Sequence, residues 1–186
     1  MDGRGGIVEE LTEDHRRVRS LFDGIRAARP GSGERLALVE RAARELVRHA
    51  TAERAHLYPA VRRFLPDGDG WAEGELGELR RIEELLKALE AADPAGEEFV
   101  ELLLSLITRV TRHVVEEEQL LFPRLQALCP ADVLRDLGAS VRDTRAAAPT
   151  RPRPAAPASA PLVRLTTQLW GPLDRIRDAA TRRTHR

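Results

Sequence analysis

The stretch HATAERAHLYP, His49 to Pro59, shares one frame with HVVEEEQLLFP, His113 to Pro123: His-x-x-x-Glu-x-x-x-Leu-aromatic-Pro, written twice in a chain with 5 histidines. In a helix, residues four apart lie one above the other. His49 with Glu53, and His113 with Glu117, are such pairs, and both lie in line with the apolar side of their segments. An imidazole and a carboxylate aimed into a core are costly unless something compensates them. A divalent metal accepts both and cancels charge. A single pair of this kind reads as a surface hydrogen bond. The doubled frame, with the same Leu-aromatic-Pro ending, reads as a metal site. The Leu-aromatic-Pro ends themselves read as structural, with the aromatic closing one end of the core and proline ending regular hydrogen bonding.

Four long segments carry helical periodicity. The first runs from about Ile7 to Ala28 through Val8, Leu11, His15, Val18 and Phe22, and Pro30-Gly31-Ser32-Gly33 ends it. Ser32 is a candidate N-cap for the second, which reaches about Phe64. After a Pro66–Gly70 loop the third spans about Trp71 to Leu89. Asp93-Pro94 reads as N-cap and first position of the fourth, which extends to about Leu128. A shorter helical piece follows Pro130 to near Val141. Long helices joined by short loops predict an all-α, up-down-up-down four-helix bundle over residues 1–144. Such bundles hold di-metal sites between facing helices. His15 lies on the apolar side of the first helix, so helices one, two and four each bring an imidazole inward.

Residues 1–144 hold 28 acids against 21 bases, and residues 145–186 hold nine arginines against two aspartates. The asymmetry marks a separate tail. Residues 145–161 read as a Pro/Ala/Arg linker, and residues 162–186 as a short basic amphipathic tail. One cysteine, Cys129, excludes an intramolecular disulfide and reads as a small boundary hydrophobe. The N-terminus has no apolar signal-peptide core and no run reaches the length of a membrane span, so a cytoplasmic protein is expected. No P-loop, CxxC or Ser/His/Asp pattern is present. The tail arginines have no nucleic-acid-binding motif beside them, so nucleic acid is not an expected partner.

The stretches EDHRRVRSLF, HATAERAHLYP and HVVEEEQLLFP resemble the three signature helices of hemerythrin-like, or HHE cation-binding, domains of bacterial type, over about residues 7–130. The resemblance implies two non-haem irons in a four-helix bundle, held by histidines, bridged by two carboxylates and an oxygen species, and interacting with dioxygen. Carried over by motif, the ligands are His15, His49, Glu53, His113 and Glu117. The sequence departs from the family at helix three, where GELRRIEELL places Leu79 where a histidine belongs. Glu75 or Glu83, each one turn from Leu79, could replace that imidazole. His56 could do so too, seven residues after His49 and so on the same face of an α-helix. Otherwise one metal site is weakened, leaving a single metal or none. Glu116 and Glu118 read as solvated. Tyr58, the one tyrosine, reads as packing, with a proton- or electron-donor role as the alternative.

The expected function is that of a non-haem iron protein that binds or senses dioxygen, nitric oxide or peroxide, or handles iron. Two other readings stay open: an iron enzyme consuming peroxide or nitric oxide, and a metal-free bundle acting as an interaction module. The expected partner is a small diatomic ligand or peroxide. Iron, manganese and zinc all suit histidine and carboxylate donors.

Overall fold

The computed structural model describes residues 5–147. The expected linker beyond 147 and the tail at 162–186 lie outside the described residues. Within them every regular element is helical: α1 (Ile7–Ala27), α2 (Gly33–Ala52), α3 (Tyr58–Phe64), α4 (Gly68–Ala91), α5 (Glu97–Glu116), α6 (Phe122–Leu128) and α7 (Ala131–Ala147). Two π-helical turns, Glu53–Leu57 and Glu117–Leu121, fuse α2 to α3 and α5 to α6. The result is four antiparallel rods, as the periodicity predicts, with α7 as a fifth helix laid against α1 and α2.

The rod ends follow local chemistry. Ser32 Oγ accepts from the Arg35 amide, the expected N-cap of α2, and Gly31 takes the positive φ of 72° that the preceding turn needs. Two starts differ from expectation. α4 begins at Gly68, inside the Pro66–Gly70 stretch, because Asp67 anchors the turn by accepting from Trp71 Nε1 and from Arg124. α5 begins at Glu97 rather than Pro94, because Asp93 accepts from the Ala95 amide and closes a separate turn first.

One core runs the length of the rods, through Leu11, Phe22, Leu46, Leu57, Val61, Leu76, Leu86, Leu103, Leu106 and Leu125. The fifth helix is longer than expected, reaching Ala147 instead of Val141 and passing residue 144. Its Gly138 makes this approach possible, since a Cβ there would lie 2.5 Å from the Gly5 carbonyl oxygen. Val141 is fully buried by the contact, and Arg142 and Arg145 each reach Glu10 at 2.5 Å. No helix among the described residues is long and apolar enough to cross a membrane.

Candidate metal centre

The proline that closes each repeated motif shapes the backbone at its glutamate. In an α-helix Pro59 would crowd the carbonyl four residues back and could not bond to it. The rod responds with a wider turn that opens at Glu53, and Tyr58 N–H bonds to the Glu53 carbonyl, five residues back. Pro59 then sits in the first turn of α3, where its missing N–H is not needed. The second motif repeats this, with Phe122 N–H bonded to the Glu117 carbonyl and Pro123 in the first turn of α6. The prolines therefore do not end the rods.

This places the five motif residues together. His15, His49, Glu53, His113 and Glu117 are all at most 3 % exposed. His15 Nε2 is 3.1 Å from His49 Nε2 and 3.4 Å from Glu117 Oε2. His49 Nε2 is 2.7 Å from Glu53 Oε1, and His113 Nε2 lies 3.7 Å from Glu53 and 3.8 Å from Glu117. Close as they are, both Glu53 oxygens, Glu117 Oε2 and His113 Nε2 lack a hydrogen-bond partner. Buried polar atoms are almost always paired. Donor atoms that converge without pairing fit a cation, and imidazole with carboxylate is the donor set for one.

Two overlapping groups have ligand atoms within 4.8 Å of one another: His15, His49, Glu53 and Glu117, and Glu75, His113 and Glu117. Glu117 belongs to both, and Glu53 faces both His49 and His113. Imidazole and carboxylate donors gathered in this way suit a cation.

The motif aromatics also act here. Tyr58 donates its hydroxyl hydrogen to Glu117 Oε1 at 3.2 Å, and Phe122 stacks on the His15 ring, 5.7 Å between centroids.

Electrostatics show how this cluster holds protons. Burial and the neighbouring His49 push His15 down to about 3. Burial opposes charge on His49 too, yet Glu53 and Asp14 outweigh it and raise it to about 10. Burial also opposes charge on His113, which Glu117, Glu53 and Glu75 nevertheless hold well above its usual range. Of the two carboxylates, burial and Glu53 lift Glu117 well above the ordinary range, while His49 keeps Glu53 well below it against its own burial.

Of the remaining sequence candidates, Glu75 joins the cluster, Glu83 lines the cavity beside it but is paired elsewhere, and His56 turns away. His56 stands away from the cluster with Nε2 2.6 Å from Thr144 Oγ1 of α7. The same-face expectation assumed α geometry. His56 lies inside the π turn, whose extra residue per turn swings it off the line of His49. Glu83 is taken by Arg54, with both guanidinium nitrogens on its two oxygens at 2.6 and 2.8 Å and both side chains buried. Glu75 does reach the site, its Oε2 2.8 Å from His113 Nδ1. Leu79 is buried beside the cluster, lining a cavity of about 10 Å³ with His15, His49, His113, Ile82 and Val110. Two residues were missed. Asp14 Oδ2 lies 3.5 Å from His49 Nδ1. Glu118, expected to be solvated, places Oε1 2.9 Å from His15 Nδ1 and Oε2 2.6 Å from Arg19. Asp14 is next to His15 in sequence, and Glu118 next to Glu117, but only tertiary packing directs them to a ring on another rod.

A family model described as the hemerythrin HHE cation binding domain matches residues 6–125. The chain belongs to this family. An uncharacterized hemerythrin-like protein of Schizosaccharomyces pombe is 25% identical over 180 residues, 92% of this chain and 85% of that one. A DNA nickase of Nostoc sp. is 29% identical over 123 residues, 64% of this chain but 33% of its own length. The crystal structure of a hemerythrin HHE cation binding domain-containing protein from Mycobacterium kansasii superposes with a TM-score of 0.64 at 24% identity, covering 76% of this chain and 88% of that one. That likeness shows a shared fold. Family and cluster together support cation binding at this centre.

Proposed function

We propose that this hemerythrin-family chain is a non-haem iron protein, with a paired-metal centre that binds or senses dioxygen, nitric oxide or peroxide, or handles iron. The residues that would hold the metal are His15, His49, Glu53, His113 and Glu117, with Glu53 and Glu117 supplying the carboxylate charge. The reading rests on one observation: buried imidazole and carboxylate atoms from several rods converge and leave both Glu53 oxygens, Glu117 Oε2 and His113 Nε2 without partners. Iron in such a centre supplies redox electrons and a coordination position for a small molecule.

The chain's own residues set the conditions. Glu53 and Glu117 neutralise cation charge in a water-poor core. Tyr58 holds one Glu117 oxygen and leaves the other facing the histidines. Leu79 supplies no donor and leaves the centre one imidazole short. Its cavity of about 10 Å³ is near the smallest that holds one water-sized molecule.

Reconstitution with ferrous iron tests the proposal. Desalted protein retains nearly two irons per chain and, in air, gains near-ultraviolet absorption. Glu53→Ala and Glu117→Ala each lose paired binding, and Glu116→Ala retains it. Retention of no iron, manganese or zinc by the parent chain overturns the proposal. Peroxide and nitric oxide turnover by the loaded protein separates an enzyme from a binder or sensor.

A further inference from the structure

Each clustered imidazole has a carboxylate behind it. His15 Nδ1 is 2.9 Å from Glu118 Oε1, His113 Nδ1 is 2.8 Å from Glu75 Oε2, and His49 Nδ1 is 3.5 Å from Asp14 Oδ2. None of the three acids shares a rod with the ring it backs. Asp14 on α1 backs His49 on α2, Glu75 on α4 backs His113 on α5, and Glu118 on the second π turn backs His15 on α1. The first two acids are at most 5 % exposed, and Glu118 is only partly buried. Asp14 and Glu118 are themselves tethered, Asp14 by Arg17 and by Arg145 of α7 at 2.9 Å, and Glu118 by Arg19 at 2.6 Å.

We propose that Asp14, Glu75 and Glu118 are positioning residues that fix all three histidines in one tautomer, with Nδ1–H donated outward and the Nε2 lone pair aimed at the cations. This rests on the metal reading above. A carboxylate on the outer nitrogen fixes both tautomer and ring angle and raises the basicity of the inner one. His15 and His49 approach through Nε2 at 3.1 Å, so without metal one proton lies between the two inward nitrogens. With Nδ1–H donated outward on both rings, a bound cation takes the place of that proton. His113 Nε2 is left without a partner. Glu75 belongs to this ring rather than to the ligand set, because its contact is to the outward nitrogen of His113. The 3.5 Å contact of Asp14 is the loosest of the three, and neither Asp14 Oδ2 nor His49 Nδ1 has a hydrogen-bond partner.

The test uses the full chain labelled with ¹⁵N-histidine and loaded with zinc, which is diamagnetic. Chelator competition gives affinity, and long-range ¹H–¹⁵N spectra give the tautomer of each ring. In the parent, all three rings bind through Nε2 and carry a hydrogen-bonded Nδ1–H. Asp14→Ala, Glu75→Ala and Glu118→Ala each weaken zinc about 10- to 100-fold at unchanged stoichiometry. The isosteric Asp14→Asn, Glu75→Gln and Glu118→Gln keep an acceptor, bind within a few-fold of the parent, and move only their own partner's Nδ1–H resonance. Because these variants keep shape, they decide the matter even where an alanine variant does not fold. His56, which faces Thr144, serves as the unmoved control. Unshifted Nδ1–H resonances overturn the proposal, as does loss of a whole zinc equivalent from Glu75→Gln, which would make Glu75 a ligand. A parent chain that binds no metal overturns the centre itself and the ring with it.

Discussion

Tyr58 and Glu117, 59 residues apart, are joined by a buried hydrogen bond of 3.2 Å that ties the aromatic of the first motif to the carboxylate of the second. Burial, with Glu53 and Glu117 nearby, holds the Tyr58 hydroxyl well above its usual pKa, so it stays protonated and donates. Tyr58→Phe leaves Glu117 Oε1 short of a partner in a dry core. The metal-free variant is expected to lose about 1–3 kcal/mol in urea denaturation. It also loosens metal retention, read by chelator competition, without loss of helicity.

The two π turns are set by Pro59 and Pro123. Pro59→Ala with Pro123→Ala lets each rod run on as α-helix, which turns Glu53 and Glu117 relative to the histidines before them. Far-ultraviolet circular dichroism is expected to be unchanged or slightly stronger, and metal per chain to fall. A double variant that keeps full metal content would show that the π turns do not depend on proline.

Leu79→His introduces an imidazole at the wall of the cavity next to His15, His49 and His113. Without metal, the buried polar ring costs roughly 1–3 kcal/mol. With metal it becomes an added donor. The expected result is a lower melting temperature for the metal-free variant and a larger stabilisation on adding ferrous iron than the parent shows.

Glu78 makes stability depend on pH away from the candidate metal centre. Burial opposes its charge, but Arg109, with Arg112 and Arg81, holds its carboxyl below the usual glutamate range. Stability from a lowered pKa is present above the unfolded value and is lost as pH falls through the folded one. Glu78→Gln is therefore expected to cost about 1 kcal/mol at pH 7. The gap to the parent closes as acid takes the pH below about 4. Parallel urea titrations across that range check the sign.

Two truncations isolate the grip of α7. A chain ending at Ala147 retains every described contact and is expected to keep parental stability and metal content. A chain ending at Thr144 lacks Arg145, which bonds both Glu10 and Asp14, and is expected to unfold earlier and bind metal more weakly. Equal behaviour of the two would remove Arg145 from any role behind His49.

What the sequence determined by itself was local and periodic. Apolar spacing carried the four rods, Ser32 marked the start of α2, and the doubled His-x-x-x-Glu frame marked Glu53 and Glu117 with their histidines. These follow from chain neighbours and an α repeat, which sequence spacing reports directly. Tertiary structure decided the rest. The π turns broke the α repeat at the glutamates, so His56, aligned with His49 on paper, went to Thr144 of α7. Glu83 and Glu75, equivalent candidates one turn either side of Leu79, were separated by their neighbours: Arg54 took the first and His113 the second. Asp14 and Glu118 gained their places behind His49 and His15 from rods packed against them. Spacing along one helix gives the direction of a side chain, but its partner comes from another helix, and only the packed bundle fixes that pairing.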